Sequence, residues 1–463
     1  MTNLSLLAAA RQYLRDFNVL RETRREYWGI QIVNLLDCTI YFALLNIASV
    51  FLSDDLGMSD EHAGYSISLF TTATTILLFF SGTVTDWLGI RRSTYVAMLA
   101  QGALRLGLVV VGLAPSIPHR GWLATGLLFL MAPFMAMIQT VFQSANQRFT
   151  TVRSRSAGFS LWYLFMNIGA AAGGFLIDII RKLLDLPNAH VFTAGVGLAA
   201  LCCWVTFWMI RREDQLRGDT AAGENHATET VIRKNPLQIA RAVVREPALW
   251  RLLVLVTFIL GARAIFSYLY LLFPKYWLRT IGEGAAIGTL QAINPILIVL
   301  GVIVFIPLMN RFNLFSMLVY GSLISALSLV FLAVPWQWFS ADIGQAHYLM
   351  SIVCLAVLSI GEVVWSPKLY EYTAAIAPPG QEGTYLGLSM VPWFLAKTLV
   401  SAISGHLLAR WCPEGIAERM IRGEVRFWDS PAAMWLLLAA SAMLGCLLAL
   451  ALRPWFTRGL NKN

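Results

Sequence analysis

Five ionisable residues stand inside otherwise apolar stretches: Asp37, Arg105, Arg263, Glu362 and Lys397. Each would lie near the middle of a bilayer, where an unpaired charge costs about 2.5–3.5 kcal/mol on insertion scales. Such groups must pair or face a water-filled cavity. Glu362 can meet Arg263 or Lys397, and Asp37 can meet Arg105. The bland role for these pairs is to lock helices together. The functional role is to open and close with a solute or a proton. Desolvation and a neighbouring cation pull a carboxylate's proton affinity in opposite directions, which suits exchange near neutrality. Asp37 and Glu362 are therefore the expected proton-coupling groups. With three basic and two acidic members the set sums to plus one, which favours an anionic or zwitterionic solute. Arg263 is the best anion clamp, because its planar fork binds a carboxylate or phosphate through two bonds. Tyr41, Gln139, Tyr163, Asn167, Asn294 and Trp365 are the polar and aromatic residues expected beside these charges. Arg105 and Lys397 complete the expected solute-binding set. Asn294-Pro295 and Pro367 are expected to break their helices near the midplane.

Other chemistries find no support. The cysteines (Cys38, Cys202, Cys203, Cys354, Cys412, Cys446) and the six histidines have no metal-ligand spacing. Gly169–Gly174 is glycine-rich but lies in an apolar run without the preceding strand a nucleotide loop needs. Close helix contact is the better reading of it. No nucleophile, metal or cofactor constellation appears, so neither an enzyme nor a cofactor is expected. A net charge of +9 reflects basic loops on one membrane face rather than nucleic-acid binding.

The elements that position these residues are membrane spans. Of 463 residues, 57% are hydrophobic and 13% charged, against about 25% charged in a soluble domain. Runs long enough to cross a bilayer fall at roughly 28–52, 63–85, 93–113, 121–146, 156–180 and 190–210. Six more follow at roughly 249–273, 286–309, 314–334, 346–373, 384–410 and 431–452. Residues 1–27 form a basic amphipathic segment expected to lie on the membrane surface. Two six-helix bundles, 28–210 and 249–452, flank a polar linker at 211–248, and 453–463 is a tail. Most basic loops share one face and Asp54, Asp55, Asp60 and Glu61 lie on the other, which places both termini in the cytoplasm of a cell membrane.

A 6+6 arrangement around a midplane site is the architecture of the major facilitator superfamily. Gly82-Thr83-Val84-Thr85-Asp86-Trp87-Leu88-Gly89-Ile90-Arg91-Arg92 resembles its loop 2–3 signature, G-x-x-x-D-R-x-G-R-R, with Trp87 at the usual basic position. In it Gly82 would permit close packing, Asp86 would end the span, and Gly89 would permit the turn. Arg91 and Arg92 would anchor the cytoplasmic face. Arg155-Ser156-Ala157-Gly158-Phe159-Ser160-Leu161-Trp162-Tyr163-Leu164-Phe165-Met166-Asn167-Ile168-Gly169-Ala170 is similar to the fifth-span pattern of proton-dependent oligopeptide transporters. Gly361-Glu362-Val363-Val364-Trp365-Ser366-Pro367 resembles that family's tenth-span G-E-x-x-x-S-P. In such carriers the tenth-span Glu meets the substrate's amino end. The first-span pattern E-x-x-E-R-F-x-Y-Y is only partly kept: Asp37 and Tyr41 remain, while Asn34 and Cys38 replace a Glu and the Arg.

The expected fold is thus an all-α membrane protein with twelve spans in a major facilitator fold. The expected function is secondary active transport of a small anionic or zwitterionic, peptide-like solute by alternating access, with proton symport. The partners are the solute, protons and the lipid bilayer, the working unit is a monomer, and nucleic acid is not a partner. Drug or metabolite/proton antiport is the alternative, and a non-transporting sensor the second.

Overall fold

The computed structural model describes residues 17–211, 246–309, 313–376 and 382–457. The apolar runs become helices because a bilayer offers the backbone no hydrogen-bond partner of its own. In the first half, α1 (Arg25–Val50), α2 (Asp60–Leu88), α3 (Ile90–Leu113), α4 (Arg120–Arg148), α5 (Val152–Asp178) and α6 (Ala189–Met209) follow one another. In the second half, α7 (Pro247–Phe258), α8 (Leu260–Leu271) and α9 (Phe273–Ile281) share one run. Then come α10 (Ile287–Met309), α11 (Leu314–Ser328), α12 (Ile343–Ile376), α13 (Glu382–Trp411), a short α14 (Ile416–Ile421) and α15 (Pro431–Ala451). Among the described residues, eight helices qualify by length and hydropathy as membrane spans, and a ninth is a bent pair. Most of the N-terminal amphipathic segment and of the linker lies outside the described residues.

The breaks do not fall where proline predicts. α10 runs unbroken through Asn294-Pro295, and α12 through Pro367. Each proline removes one backbone bond, and packing against neighbouring helices offsets that loss. The bend occurs instead in the seventh span, where 249–258 and 260–271 meet at 49°. Gly261 sits just past it, so close to α15 that a Cβ would approach Ala442 Cα to 2.5 Å.

The two halves touch along two seams. At one, α2 meets α13: Ser68 Oγ donates to the Thr398 carbonyl (3.1 Å) and the Thr72 and Thr398 hydroxyls lie 2.8 Å apart. Gly405 has no room for a Cβ, which would run into the Asp60 backbone and approach Glu61 Cα to 2.5 Å. At the other, α5 meets α10 with Gly174 against Gly288. There the Asp178 carboxylate caps α10, accepting from the backbone N–H of Gly288 (2.9 Å) and Thr289 (2.6 Å) and from Thr289 Oγ1 (2.6 Å). Gly405→Val is expected to cost this closed arrangement about 1–3 kcal/mol and to hold that end of the molecule open. Spin labels on α2 and α13 would report a longer separation, and an unchanged distance would refute the contact.

The turn at Gly89 has φ +82°, a conformation only glycine adopts without strain, as the loop signature requires. A Cβ on Gly82 meets no atom within 4 Å among the described residues. Arg91 lies over the Tyr95 ring (5.9 Å) and Arg92 is exposed. The Asp86 side chain is outside the described set.

Candidate functional site

The five mid-span charges divide between the halves. Asp37 and Arg105 lie inside the first bundle, 4% and 0% exposed, within electrostatic range of each other. Arg105 Nη2 donates to Gln101 Oε1 at 2.9 Å, one helical turn back. Gly195 leaves space for the guanidinium stem: a Cβ there would stand 3.0 Å from Arg105 Cδ. Arg105, expected beside the solute, is therefore enclosed by its own bundle, between α1, α3 and α6. Asn34 and Cys38 are also self-contained. Cys38 Sγ donates to Asn34 Oδ1 (3.4 Å), and Asn34 Nδ2 donates to the Trp162 carbonyl on α5 (3.1 Å).

Arg263, Glu362 and Lys397 belong to the second half. Glu362 Oε2 accepts from Asn294 Nδ2 at 3.0 Å, and the same amide donates to Ser359 Oγ at 3.1 Å. Arg263 on α8 acts electrostatically on Glu362. Lys397 Nζ, on α13, donates to Tyr41 Oη at 3.4 Å across the two halves. Tyr270, two turns along α8 from Arg263, stands within electrostatic range of both Tyr41 and Glu362. Its ring centre is 6.3 Å from that of Phe42. The second half thus carries a net plus one here, and the first half faces it with neutral Tyr41 and Phe42.

The remaining expected residues distribute as follows. Tyr163 packs across the interface against Ile298, Val302, Met317 and Val363. Asn167 donates to the Tyr163 carbonyl one turn earlier on the same helix (2.9 Å). Gln139 is half-buried on α4, and the hydrogen bonds of the cluster do not reach it. Trp365, expected at the solute, is 1% exposed. Its indole is buried against α11, so it supports a neighbour instead of lining the interface. Tyr270 escaped the sequence reading, although its spacing of seven residues from Arg263 puts both on one helix face.

A second polar cluster, also missed, closes one end of the molecule. Asp60, the first residue of α2, receives Arg279 Nη1 on Oδ2 (2.7 Å) and Nη2 on Oδ1 (3.2 Å), and pairs with Lys275 Nζ. Lys275 also lies 3.6 Å from Asp54. Arg279 further donates to the Cys412 carbonyl (2.9 Å) and approaches Glu414 (3.8 Å). Arg181 and Glu283 approach to 4.0 Å beside the Asp178 cap. The ion pairs of Asp54, Asp60 and Arg181 join the two halves at this end. These residues sit at helix ends, outside the apolar runs, and so fall outside a search for mid-span charges.

Burial alone would push the Asp60 carboxyl up. The Arg279 hydrogen bond and the charges of Lys275 and Arg279 outweigh it and hold the group below the ordinary carboxylate range. A depressed value means that the contact is fully stabilised above the ordinary range and lost as pH falls through the lowered one. Closure at this end is therefore expected to be insensitive to pH from neutrality down to ordinary carboxylate values. Asp60→Asn should weaken it throughout that range. Interspin distances across Asp60 and Arg279 at graded pH check both statements; opening in mild acid in the unaltered protein would contradict them.

Comparison with known proteins agrees with this architecture. A family model described as Major Facilitator Superfamily matches residues 28–401. The solved structures most like it include a proton-dependent oligopeptide transporter studied for substrate recognition (TM-score 0.72, 14% identity, 94% of this chain and 99% of that one). Another is the peptide transporter POT in complex with alafosfalin (TM-score 0.70, 16% identity, 95% and 96% covered). At such identities the likeness is one of fold. Puromycin resistance protein pur8 of Streptomyces alboniger is 31% identical over 183 residues, which are 38% of this chain and 34% of that protein. The chain spans about a third of the length of that curated relative. With the family matched over most of its length and the same fold in both peptide transporters, the chain belongs to the major facilitator superfamily.

Proposed function

We propose that this protein is a proton-coupled secondary transporter of a small anionic or zwitterionic solute, working by alternating access in a cell membrane with both termini cytoplasmic. The observation that carries this reading is a set of three charges in apolar helices, with Arg263 in electrostatic range of Glu362 and Lys397 hydrogen-bonded to Tyr41 of the opposite half. Its net positive charge attracts an acidic group on the solute. Glu362 is the proton-exchanging group at the solute, and its partner Asn294 can hydrogen-bond either form, because an amide donates to a carboxylate and to a neutral carboxyl alike. Asp37, with Arg105 behind it, is a second proton-sensitive group in the other half. In this reading the ion pairs around Asp60 hold the non-cytoplasmic end closed while the solute site exchanges with the cytoplasm. Uptake of dialanine and of simple carboxylates into proteoliposomes, with and without an inward proton gradient, tests the reading. Accumulation that ignores the gradient counts against coupling.

A second reading is export by proton antiport. The 31% identity to a puromycin resistance protein supports it, as does the loss of two charged residues from the first-span pattern at Asn34 and Cys38. Puromycin movement in inside-out vesicles separates the two by direction.

A further inference from the structure

Arg263 and Phe266, one turn apart on α8, both meet the indole of Trp365. The guanidinium carbon lies 5.4 Å from the indole ring centre, inside the range of a cation–π contact. The Phe266 ring centre lies 6.1 Å away, tilted by 56°. Trp365 itself has no freedom. Its Nε1 donates to the buried Ser325 Oγ at 3.1 Å. Behind it α11 and α12 are in backbone contact: a Cβ on Gly321 would stand 2.9 Å from both the backbone nitrogen and the Cβ of Trp365, and one on Gly361 would stand 2.6 Å from the Ser325 nitrogen. The platform is thus fastened to two helices, while the cation it carries comes from a third, just beyond the bend of the seventh span.

From this geometry we infer that Trp365 is a positioning residue: it holds the Arg263 guanidinium in place on the second half so that its fork is presented, already ordered, to an acidic group of the solute. A long cationic side chain loses rotamer freedom when it binds, and ordering it beforehand leaves more of the interaction for affinity. The platform also keeps Arg263 in reach of Glu362 through changes of that residue's charge, because an indole face does not titrate. The link to a solute rests on the function proposed above; the contact between Trp365 and Arg263 does not.

Two measurements on the full-length protein test this separately. The first needs no solute. Thermal unfolding midpoints in detergent are compared for Trp365→Leu, Arg263→Met and the double variant, with Trp365→Phe as the ring-retaining control. The double variant should lose less than the sum of the single losses, and this departure from additivity should be smaller when Trp365→Phe replaces Trp365→Leu in the cycle, because Phe keeps part of the cation–π contact. Additive losses, or Phe indistinguishable from Leu, overturn the platform. The second uses dialanine and its C-terminal amide in proteoliposomes. Trp365→Leu should raise the KM for dialanine about tenfold, the size of a desolvated cation–π contact, with Vmax per folded molecule little changed and the amide unaffected. A fall in Vmax at constant KM would overturn the positioning role and leave Trp365 a packing residue. Transport of neither solute by the unaltered protein would count against the proposed solute class, while the unfolding comparison still decides the platform.

Discussion

Glu362→Gln is expected to abolish gradient-driven accumulation of solute while leaving solute exchange intact. Glutamine keeps the shape of the side chain, and Asn294 Nδ2, which donates to Glu362 Oε2 at 3.0 Å, can donate to the new amide oxygen. What changes is the charge. A hydrogen bond to a charged group is worth about 1.5–3 kcal/mol and a neutral one about 0.5–1.5, so the fold should lose roughly 1 kcal/mol. The site should then resemble the protonated state permanently, with Arg263 and Lys397 still in place. Counterflow between equal proton concentrations should continue, and an imposed gradient should no longer raise the internal concentration above the external one. If both activities vanish while the protein stays folded, Glu362 binds solute without carrying the proton. If both persist, coupling resides elsewhere, and Asp37 becomes the leading group.

The second large effect concerns the two opposite charges buried in the first half, which act on each other electrostatically. Asp37 and Arg105 are 4% and 0% exposed, and Arg105 already uses Gln101 as a partner. Asp37→Ala leaves a guanidinium in a water-poor interior without its counter-charge. Removing one member of a buried pair typically costs about 3–5 kcal/mol, enough to consume a large part of a marginal stability. Replacing both members with apolar residues of similar size, as in Asp37→Leu with Arg105→Met, should recover most of that loss. Unfolding in graded denaturant, followed by tryptophan emission, measures both. A double variant as unstable as the sum of its parts would mean that the two residues do not form a pair. A double variant that is stable yet fails to accumulate solute would tie Asp37 to proton coupling as well as to the fold.

Much of the architecture is legible in residue order. Apolar runs of bilayer length mark the helices, since lipid leaves few alternatives to a helix, and α1, α4, α5 and α15 begin and end within a few residues of the expected spans. Gly89 announces its turn because positive φ demands glycine there. Proline was the misleading signal. Pro295 and Pro367 lie in continuous helices, and the true bend beside Ile259 carries no proline. Helix geometry at depth is set by what packs against it, as at Gly261 and Ala442, and a single chain segment does not reveal its neighbours.

The site was partly legible for the same reason. The expense of a mid-span charge singles out Asp37, Arg105, Arg263, Glu362 and Lys397 without any structure. Which of them share a space is a matter of helix rotation, and Arg105 turns inward to α1 and α6 rather than toward the second half. Trp365 looked like a cavity aromatic from its place beside Glu362, yet adjacent helical residues point about 100° apart, and the indole lies against α11. Asp60, Lys275 and Arg279 carry ordinary charges at ordinary helix ends, so only their meeting across the two halves reveals a latch.

The central claim, that a proton moves with the solute, is tested most directly by the proton itself. Proteoliposomes enclosing a pH-sensitive dye, with no gradient imposed, would be given dialanine from outside. The account predicts internal acidification in step with uptake, absent in Glu362→Gln. Solute entry without any change in internal pH, or with alkalinisation, would contradict it.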